Sequence, residues 1–163
     1  MRRLTVIRHA KSSWKRPELA DFERPLNGRG KRDIVRMASV ICRHIPVPDL
    51  FLASPAKRAR KTAKAIAGAM GAKAVLCYSD EIYGADLVDL LSVVANIDDQ
   101  HGHAFLCGHN PSVTDLVNKL AGLNLDLPTC AVAHMELPSG TWQAAVKVRG
   151  KLTYYSCPKS ESD

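Results

Sequence analysis

Two arginines and two histidines occur where the sequence predicts the ends of β-strands. Arg8 and His9 directly follow the apolar run Leu4–Ile7, Arg58 follows a second apolar run, and His109 follows a later one. Guanidinium and imidazole groups gathered at one point, together with helix N-terminal amides, are suited to binding a dianionic phosphoryl group. In such a site His9 could attack phosphorus as a neutral imidazole, while the other three side chains stabilise the phosphoryl oxygens. This chemistry needs no metal and no cofactor, because the arginines supply the positive charge.

The segments around these residues alternate between predicted strands and helices. Strands are expected over 4–7, 49–53, 74–78 and 104–107, and over 131–137, 141–148 and 151–156 near the end of the chain. Helices are expected over 27–44, 54–70, 86–96 and 111–120. This alternation predicts an α/β protein, a three-layer α/β/α sandwich with a mostly parallel sheet. Ligands of such sheets bind beyond the carboxyl ends of the strands, where the four residues are expected to meet.

The first two helices have clear sequence signals. An apolar stripe on the first consists of Ile34, Val35, Ala38, Val40 and Ile41. Ser54–Pro55 is expected to open the second helix, with Ser54 as its N-cap, and Gly71 to end it.

Composition indicates one globular domain. The 163 residues are 46% hydrophobic, which suffices for a single core, expected over 1–157 with a polar tail over 158–163. No apolar run approaches the roughly 20 residues that span a bilayer. Five scattered cysteines without a CxxC pair are typical of a reducing compartment, so a cytoplasmic location is expected.

Positive charge is concentrated in the first part of the chain. Residues 1–64 hold 17 lysines and arginines and 5 acidic residues, whereas residues 65–163 hold 6 and 11. This asymmetry suggests an anionic ligand, which could be a phosphate, a nucleic acid or an acidic protein, although charge alone favours a solvated lysine-rich face. A nucleic-acid-binding module would use the basic residues of 57–64. No helix-turn-helix, RNA-recognition or zinc pattern accompanies them, and aromatic residues are few.

Three motifs, in order along the chain, resemble those of the histidine phosphatase (phosphoglycerate-mutase-like) superfamily. Residues 8–10 resemble its Arg-His-Gly signature, residues 54–63 its Ser-Pro-x-x-Arg-x-x-x-Thr-Ala segment, and residues 108–109 its second histidine. The longer runs 8–14, 21–30 and 108–111 resemble the short SixA-type phosphohistidine phosphatases, and the resemblance spans roughly residues 4–157. It implies a phosphoglycerate-mutase-like fold with little or no cap.

The resemblance also implies a reaction and a site. His9 would become a covalent phosphohistidine that water then hydrolyses, with Arg8, Arg58 and His109 as the other catalytic residues and a protonated His109 working best. The substrate would be a phosphorylated histidine on a protein. The alternatives are a small phosphorylated metabolite, turned over by a phosphatase or a mutase, and a noncatalytic phosphate-binding role.

Further residues are expected around the phosphoryl group. Ser12, Arg24 and Asn27 would line the pocket, unless Arg24 merely pairs with Asp21 to order the long loop from 10 to 25. Trp14 in this loop would contact a protein partner or cover the loop itself.

A general acid is less evident in the sequence. Glu81, after the third strand, is the first candidate; the others are Asp80, Glu18, Asp21 and Glu23, and for each of them plain solvated charge is the alternative. An imidazole leaving group can arrive already protonated, so phosphohistidine hydrolysis could proceed without such an acid. Weak activity on alkyl phosphate monoesters is therefore expected.

Overall fold

The computed structural model describes residues 1–161. Its strands are β1 (Arg2–Arg8), β2 (Leu50–Ala53), β3 (Leu76–Tyr78), β4 (His103–Gly108), β5 (Val132–Leu137) and β6 (Lys151–Ser156). Its α-helices are α1 (Gly28–His44), α2 (Lys57–Met70), α3 (Leu87–Ala95), α4 (Ser112–Ala121) and α5 (Trp142–Ala145). Short 3-10 turns cover Asp21–Glu23, Lys73–Val75 and Pro158–Glu161. None of these helices is both long enough and apolar enough to cross a lipid bilayer.

The six strands form one sheet in the order β3-β2-β4-β1-β5-β6. The pairs β1–β4, β2–β4 and β2–β3 are parallel, while β5 runs antiparallel to both β1 and β6. This arrangement confirms the predicted α/β class and the mostly parallel sheet. Arg8 lies opposite Gly108, and Ala53 lies opposite Cys107, so the carboxyl ends of β1, β2 and β4 meet at one edge.

A buried core lies on each face of the sheet. Helices α1 and α2 cover one face, and α3, α4 and α5 cover the other, which gives the three layers that were predicted. The side chain of Asn27 caps α1 by accepting the N–H of Gly30 at 2.8 Å. Helix α2 ends at Gly71, whose φ of 70° is a left-handed conformation that suits glycine.

The predicted strand over 141–148 is wrong, because this segment contains the short helix α5. Thr141 caps that helix, and Trp142 and Ala145 are both buried. The indole N–H of Trp142 donates to the carbonyl of His101 at 2.7 Å. Burial three residues apart suits one helical turn, so the alternating apolar pattern of this short segment was misleading.

Two finer expectations about the first helices are also wrong. Val35 is 73% exposed, because it lies outside the face of α1 that packs on the sheet. Ser54 does not cap α2, whose N-cap is Ala56 without a side-chain hydrogen bond.

The end of the chain continues past β6 into the 3-10 turn Pro158–Glu161. Pro158 is buried, and the Ser156 hydroxyl donates to the carboxylate of Glu161 at 2.6 Å. Residues 162 and 163 of the tail expected over 158–163 lie outside the described residues. A domain boundary at residue 157 stays a prediction.

Candidate active site

Strands β1 and β4 place His9 and His109 side by side. The backbone N–H of His9 donates to the carbonyl of Gly108 at 3.1 Å, and the two imidazole centroids are 5.0 Å apart. Arg58, on the first turn of α2, lies with its Nε 3.4 Å from Nε2 of His9. Arg8 donates to the carbonyl of Leu127 at 3.0 Å. The structure therefore brings the four predicted residues to the carboxyl edge of the sheet.

The hydrogen bonds of His9 define its tautomer. Its Nδ1–H donates to the carbonyl of Ala10 at 2.7 Å, so Nε2 has the lone pair that accepts from Arg58. Burial lowers the pKa of His9 to about 3, with further lowering by the positive charges of Arg58 and Arg8 and by His109. His9 is thus a neutral imidazole whose unprotonated Nε2 faces a guanidinium.

Arg58 is held on several sides. It is only 5% exposed, and its two terminal nitrogens donate to the backbone carbonyl of Asp21 at 2.7 Å and to its carboxylate at 3.0 Å. Thr62, one turn later in α2, donates to the carbonyl of Arg58 and accepts the N–H of Ala10. Thr62 thereby links helix α2 to Ala10, the residue that follows His9. This link holds the side chain of Arg58 close to that of His9.

His109 contacts Ser54, the residue that was predicted to cap α2. Its Nε2 lies 2.7 Å from the Ser54 hydroxyl, which also accepts the N–H of Ala56 at 3.3 Å. With that hydroxyl donating to Nε2, Nδ1 of His109 has the proton and can donate to a phosphoryl oxygen. Burial lowers the pKa of His109 to about 4, helped most by the charge of Arg58. Burial therefore favours neutral His109 in the free protein, whereas a protonated His109 acting on a bound phosphoryl group stays a prediction.

Asp21 is the carboxylate nearest to these residues. It accepts hydrogen bonds from Tyr83 at 2.7 Å, from Arg58 at 3.0 Å and from Arg24 at 3.1 Å. Burial by itself raises the pKa of Asp21, but these three donors outweigh it and hold the pKa at about 2. The ion pair between Asp21 and Arg24 is the one that the sequence analysis gave as an alternative. Arg24 also donates to the hydroxyl of Ser12, which links Ser12 to the Asp21–Arg24 pair, and a phosphate-binding role for Ser12 and Arg24 stays a prediction.

Two predicted residues are not brought to the four central side chains. The side chain of Asn27 is engaged as the cap of α1, and its backbone N–H donates to the carbonyl of Lys11. Glu81 is exposed, and no hydrogen bond or ion pair joins it to these side chains in the described part of the chain.

Tyr83 is a site residue that the sequence analysis missed. Its hydroxyl contacts Asp21, and its ring lies edge-on to that of His109, with centroids 5.6 Å apart. Tyr83 and Asp21 are 62 residues apart in a chain without a motif that links them, so no sequence signal could have paired them. Within residues 1–161, no group of three or more histidine, cysteine or acidic side chains could hold a metal ion.

Comparison with known proteins assigns the family. The model of the histidine phosphatase superfamily (branch 1) matches residues 4–79, which include the first two of the three motifs. An uncharacterised protein of Mycobacterium tuberculosis is 30% identical over 119 residues, which make up 72% of this chain and 72% of that protein. The chain belongs to the histidine phosphatase superfamily. Its family makes it a hydrolase that acts on phosphorylated substrates.

Solved structures of histidine phosphatases share the whole fold. The protein assigned as phosphohistidine phosphatase SixA in Agrobacterium tumefaciens is 28% identical, with a TM-score of 0.83 over 96% of this chain and 98% of that one. A protein histidine phosphatase SixA complexed with tungstate is 18% identical and has a TM-score of 0.82 over 97% and 98% of the two chains. The predicted phosphoglycerate-mutase-like fold is thereby confirmed. Only residues 79–86 connect β3 to α3, which leaves little chain for a cap there.

Proposed function

We propose that the protein hydrolyses phosphohistidine on a protein substrate, with His9 as the covalent nucleophile. The observation that supports this most directly is the geometry of His9. Its Nδ1–H is bound by a backbone carbonyl, while its neutral Nε2 lies 3.4 Å from the guanidinium of Arg58. A buried neutral imidazole beside a positive charge can attack a phosphoryl group that the same charge binds.

In the first step, Nε2 of His9 forms a bond to phosphorus while the bond from phosphorus to the substrate imidazole breaks. The electron pair of that bond goes to the substrate nitrogen, and an imidazole that is protonated on its other nitrogen leaves as a neutral ring. His9 then has substituents on both nitrogens and a positive ring, whose Nδ1–H stays hydrogen-bonded to the carbonyl of Ala10. Water attacks phosphorus in the second step and releases inorganic phosphate and neutral His9.

The other three catalytic candidates would act on the phosphoryl oxygens. The guanidinium groups of Arg58 and Arg8 supply positive charge on two sides, and His109 supplies a hydrogen bond from Nδ1. Nδ1 of His109 and Nε of Arg8 are both buried and have no hydrogen-bond partner among the described residues. Buried donors of this kind suit an anionic ligand that would satisfy them.

The carboxylates of the site support a leaving group that needs no acid. With a pKa of about 2, Asp21 has no proton to donate near neutral pH, and Glu81 is exposed, without a hydrogen bond or ion pair to the four central side chains within residues 1–161. An alkoxide leaving group requires a proton in the transition state, whereas a protonated imidazole does not. We therefore propose phosphohistidine rather than an alkyl phosphate as the substrate. The five free thiols further support a reducing compartment such as the cytoplasm.

Turnover of free phosphohistidine, p-nitrophenyl phosphate and an alkyl phosphate by the wild type and by His9→Gln tests this proposal. We expect the variant to lose at least about 10³-fold in kcat on every substrate that the wild type hydrolyses, because it lacks the nucleophile. His44→Gln, which changes an exposed histidine on α1, is the matched control and should keep full activity.

The outcomes separate the alternatives. Preference for phosphohistidine, with trapped alkali-stable phosphate on wild-type His9, supports the proposal. Brisk turnover of the alkyl ester alone would indicate that the substrates are small phosphorylated metabolites. Tight phosphate binding without turnover of any substrate would leave a noncatalytic protein and would contradict the proposal.

A further inference from the structure

A groove of about 450 Å³ lies between α1 and α2, beside the active site. Its lining residues are apolar on the floor and cationic at the rim: Pro25, Leu26, Lys31, Ile34, Val35, Lys57, Lys61 and Ala65. Ile34 is buried in the floor, whereas Val35 is 73% exposed although both belong to the same helix. A contiguous apolar surface rimmed by charged residues, as in this groove, is a feature of binding surfaces.

The two helices that form this groove present no exposed acid to its lysines. Among residues 1–161, the three rim lysines (Lys31, Lys57 and Lys61) take part in no ion pair. Helix α2 contains no acidic residue, and the one acid of α1, Asp33, is buried and pairs with Arg29 at 3.5 Å. The lysines can therefore bind carboxylates from another molecule.

The groove is continuous with the active site. Leu26 pairs across a β-bridge with Ser12, and Pro25 directly follows Arg24, so one wall begins at the site. The other wall begins at Lys57, next to Arg58. Along α2, the distance from Arg58 to Ala65 is about 10 Å at 1.5 Å per residue, or about three residues of extended chain. A substrate segment that lies a few residues from a phosphohistidine bound at His9 would therefore reach this groove.

We propose that this groove docks a segment of the phosphorylated protein substrate that presents an apolar side chain flanked by carboxylates. This inference rests on the proposed function, because it places the phosphohistidine of the same partner at His9. The apolar side chain would cover Val35 and Leu26, and the carboxylates would pair with Lys31 and Lys61. Affinity for such a segment would come from apolar burial, and orientation from the charges.

The lining of the groove favours this occupant over two others. A nucleic acid would pair its phosphates with the lysines, but it would leave Val35 uncovered and find no aromatic residue in the groove on which a base could stack. A second copy of the same face would bring its own lysines against these and be repelled.

Two phosphohistidine peptides of equal length test the proposal. The acidic–apolar peptide has a leucine and two glutamates within five residues of the phosphohistidine, and the neutral peptide has serine and glutamines there. We expect wild-type kcat/KM to be about tenfold higher for the acidic–apolar peptide, mainly through KM. Lys31→Glu combined with Lys61→Glu should abolish this preference, and Val35→Ser should reduce it about threefold. Turnover of free phosphohistidine should be the same in all variants.

Lys119→Glu combined with Lys147→Glu is the matched control, because it reverses the same charge at two exposed lysines outside the groove. Equal kcat/KM for the two peptides, or an equal loss in this control, would overturn the proposal. Tighter binding of a single-stranded oligonucleotide, lost in the groove variant, would assign the surface to nucleic acid and also overturn it.

Fluorescence anisotropy with the unphosphorylated acidic–apolar peptide separates docking from catalysis. Peptide binding that requires Lys31 and Lys61 supports the docking surface even if no substrate is hydrolysed. The absence of hydrolysis would contradict only the proposed function. Hydrolysis of free phosphohistidine without any such binding would contradict only the docking surface.

Discussion

The pKa of His9 predicts how the protein responds when the pH falls from 7 to 5. An ordinary imidazole with a pKa of 6.5 would be about 97% protonated at pH 5. Burial is the largest cause that lowers the pKa of His9 to about 3, so this side chain should remain neutral across the whole range. The nucleophile should thus be available at pH 5.

The lowered pKa of His9 also makes the free energy of unfolding depend on pH. The unfolded chain takes up a proton on His9 near pH 6.5, whereas the folded protein does not until about pH 3. The stability that depends on a neutral His9 is complete above pH 6.5 and is lost as the pH falls below it toward about 3. At pH 5 the loss from this one group is about 2 kcal/mol.

Two measurements test this prediction. Long-range ¹H–¹⁵N NMR spectra of histidine-labelled protein should show His9 protonated on Nδ1 only, with no titration between pH 7 and 5. In urea, the free energy of unfolding should fall by about 2 kcal/mol more in the wild type than in His9→Gln when the pH is lowered from 7 to 5. The other histidines contribute equally to both proteins, so the difference reports His9.

A further variant identifies the cause of the shift. Arg58→Met removes one neighbouring charge but leaves the ring buried, so the pKa of His9 should rise only part of the way to 6.5. A His9 that titrates near pH 6.5 in the wild type, or equal pH dependence in the wild type and His9→Gln, would refute the reasoning.

Three other changes have expected outcomes. Arg58→Lys should lower kcat about 10²-fold, because an ammonium cannot replace the fork of a guanidinium, and it should also lower the melting temperature, because it loses hydrogen bonds to Asp21; a loss in kcat below threefold would contradict its role. Asp21→Asn should lower the free energy of unfolding in urea by about 1 kcal/mol at pH 7, after discounting for its half-exposed side chain, and the difference should shrink as the pH falls from 3.8 toward about 2. Gly30→Ala should lower thermal stability by about 2 kcal/mol, because its Cβ would lie 2.2 Å from the backbone oxygen of Lys11, whereas the control Gly140→Ala meets nothing within 4 Å and should melt like the wild type.

Local features of the sequence determined the elements and the central side chains of the site. Apolar runs placed β1 and β4 within two residues, and Asn27 and Gly71 marked helix ends through contacts that span only a few residues. Because parallel strands end at a common edge, these local predictions sufficed to bring His9 and His109 together.

Only the tertiary structure decided the contacts between distant segments. Asp21 was one of several acidic candidates until the fold placed Tyr83, from the connection after β3, within hydrogen-bond distance of it. Ser54 had a plausible local role as a helix cap, but the order of the strands put its hydroxyl beside His109. Val35 fitted an apolar stripe, and its exposure depends on where α1 rests on the sheet. Periodicity and capping act over a few residues, whereas these partners depend on strand order and on how the helices pack.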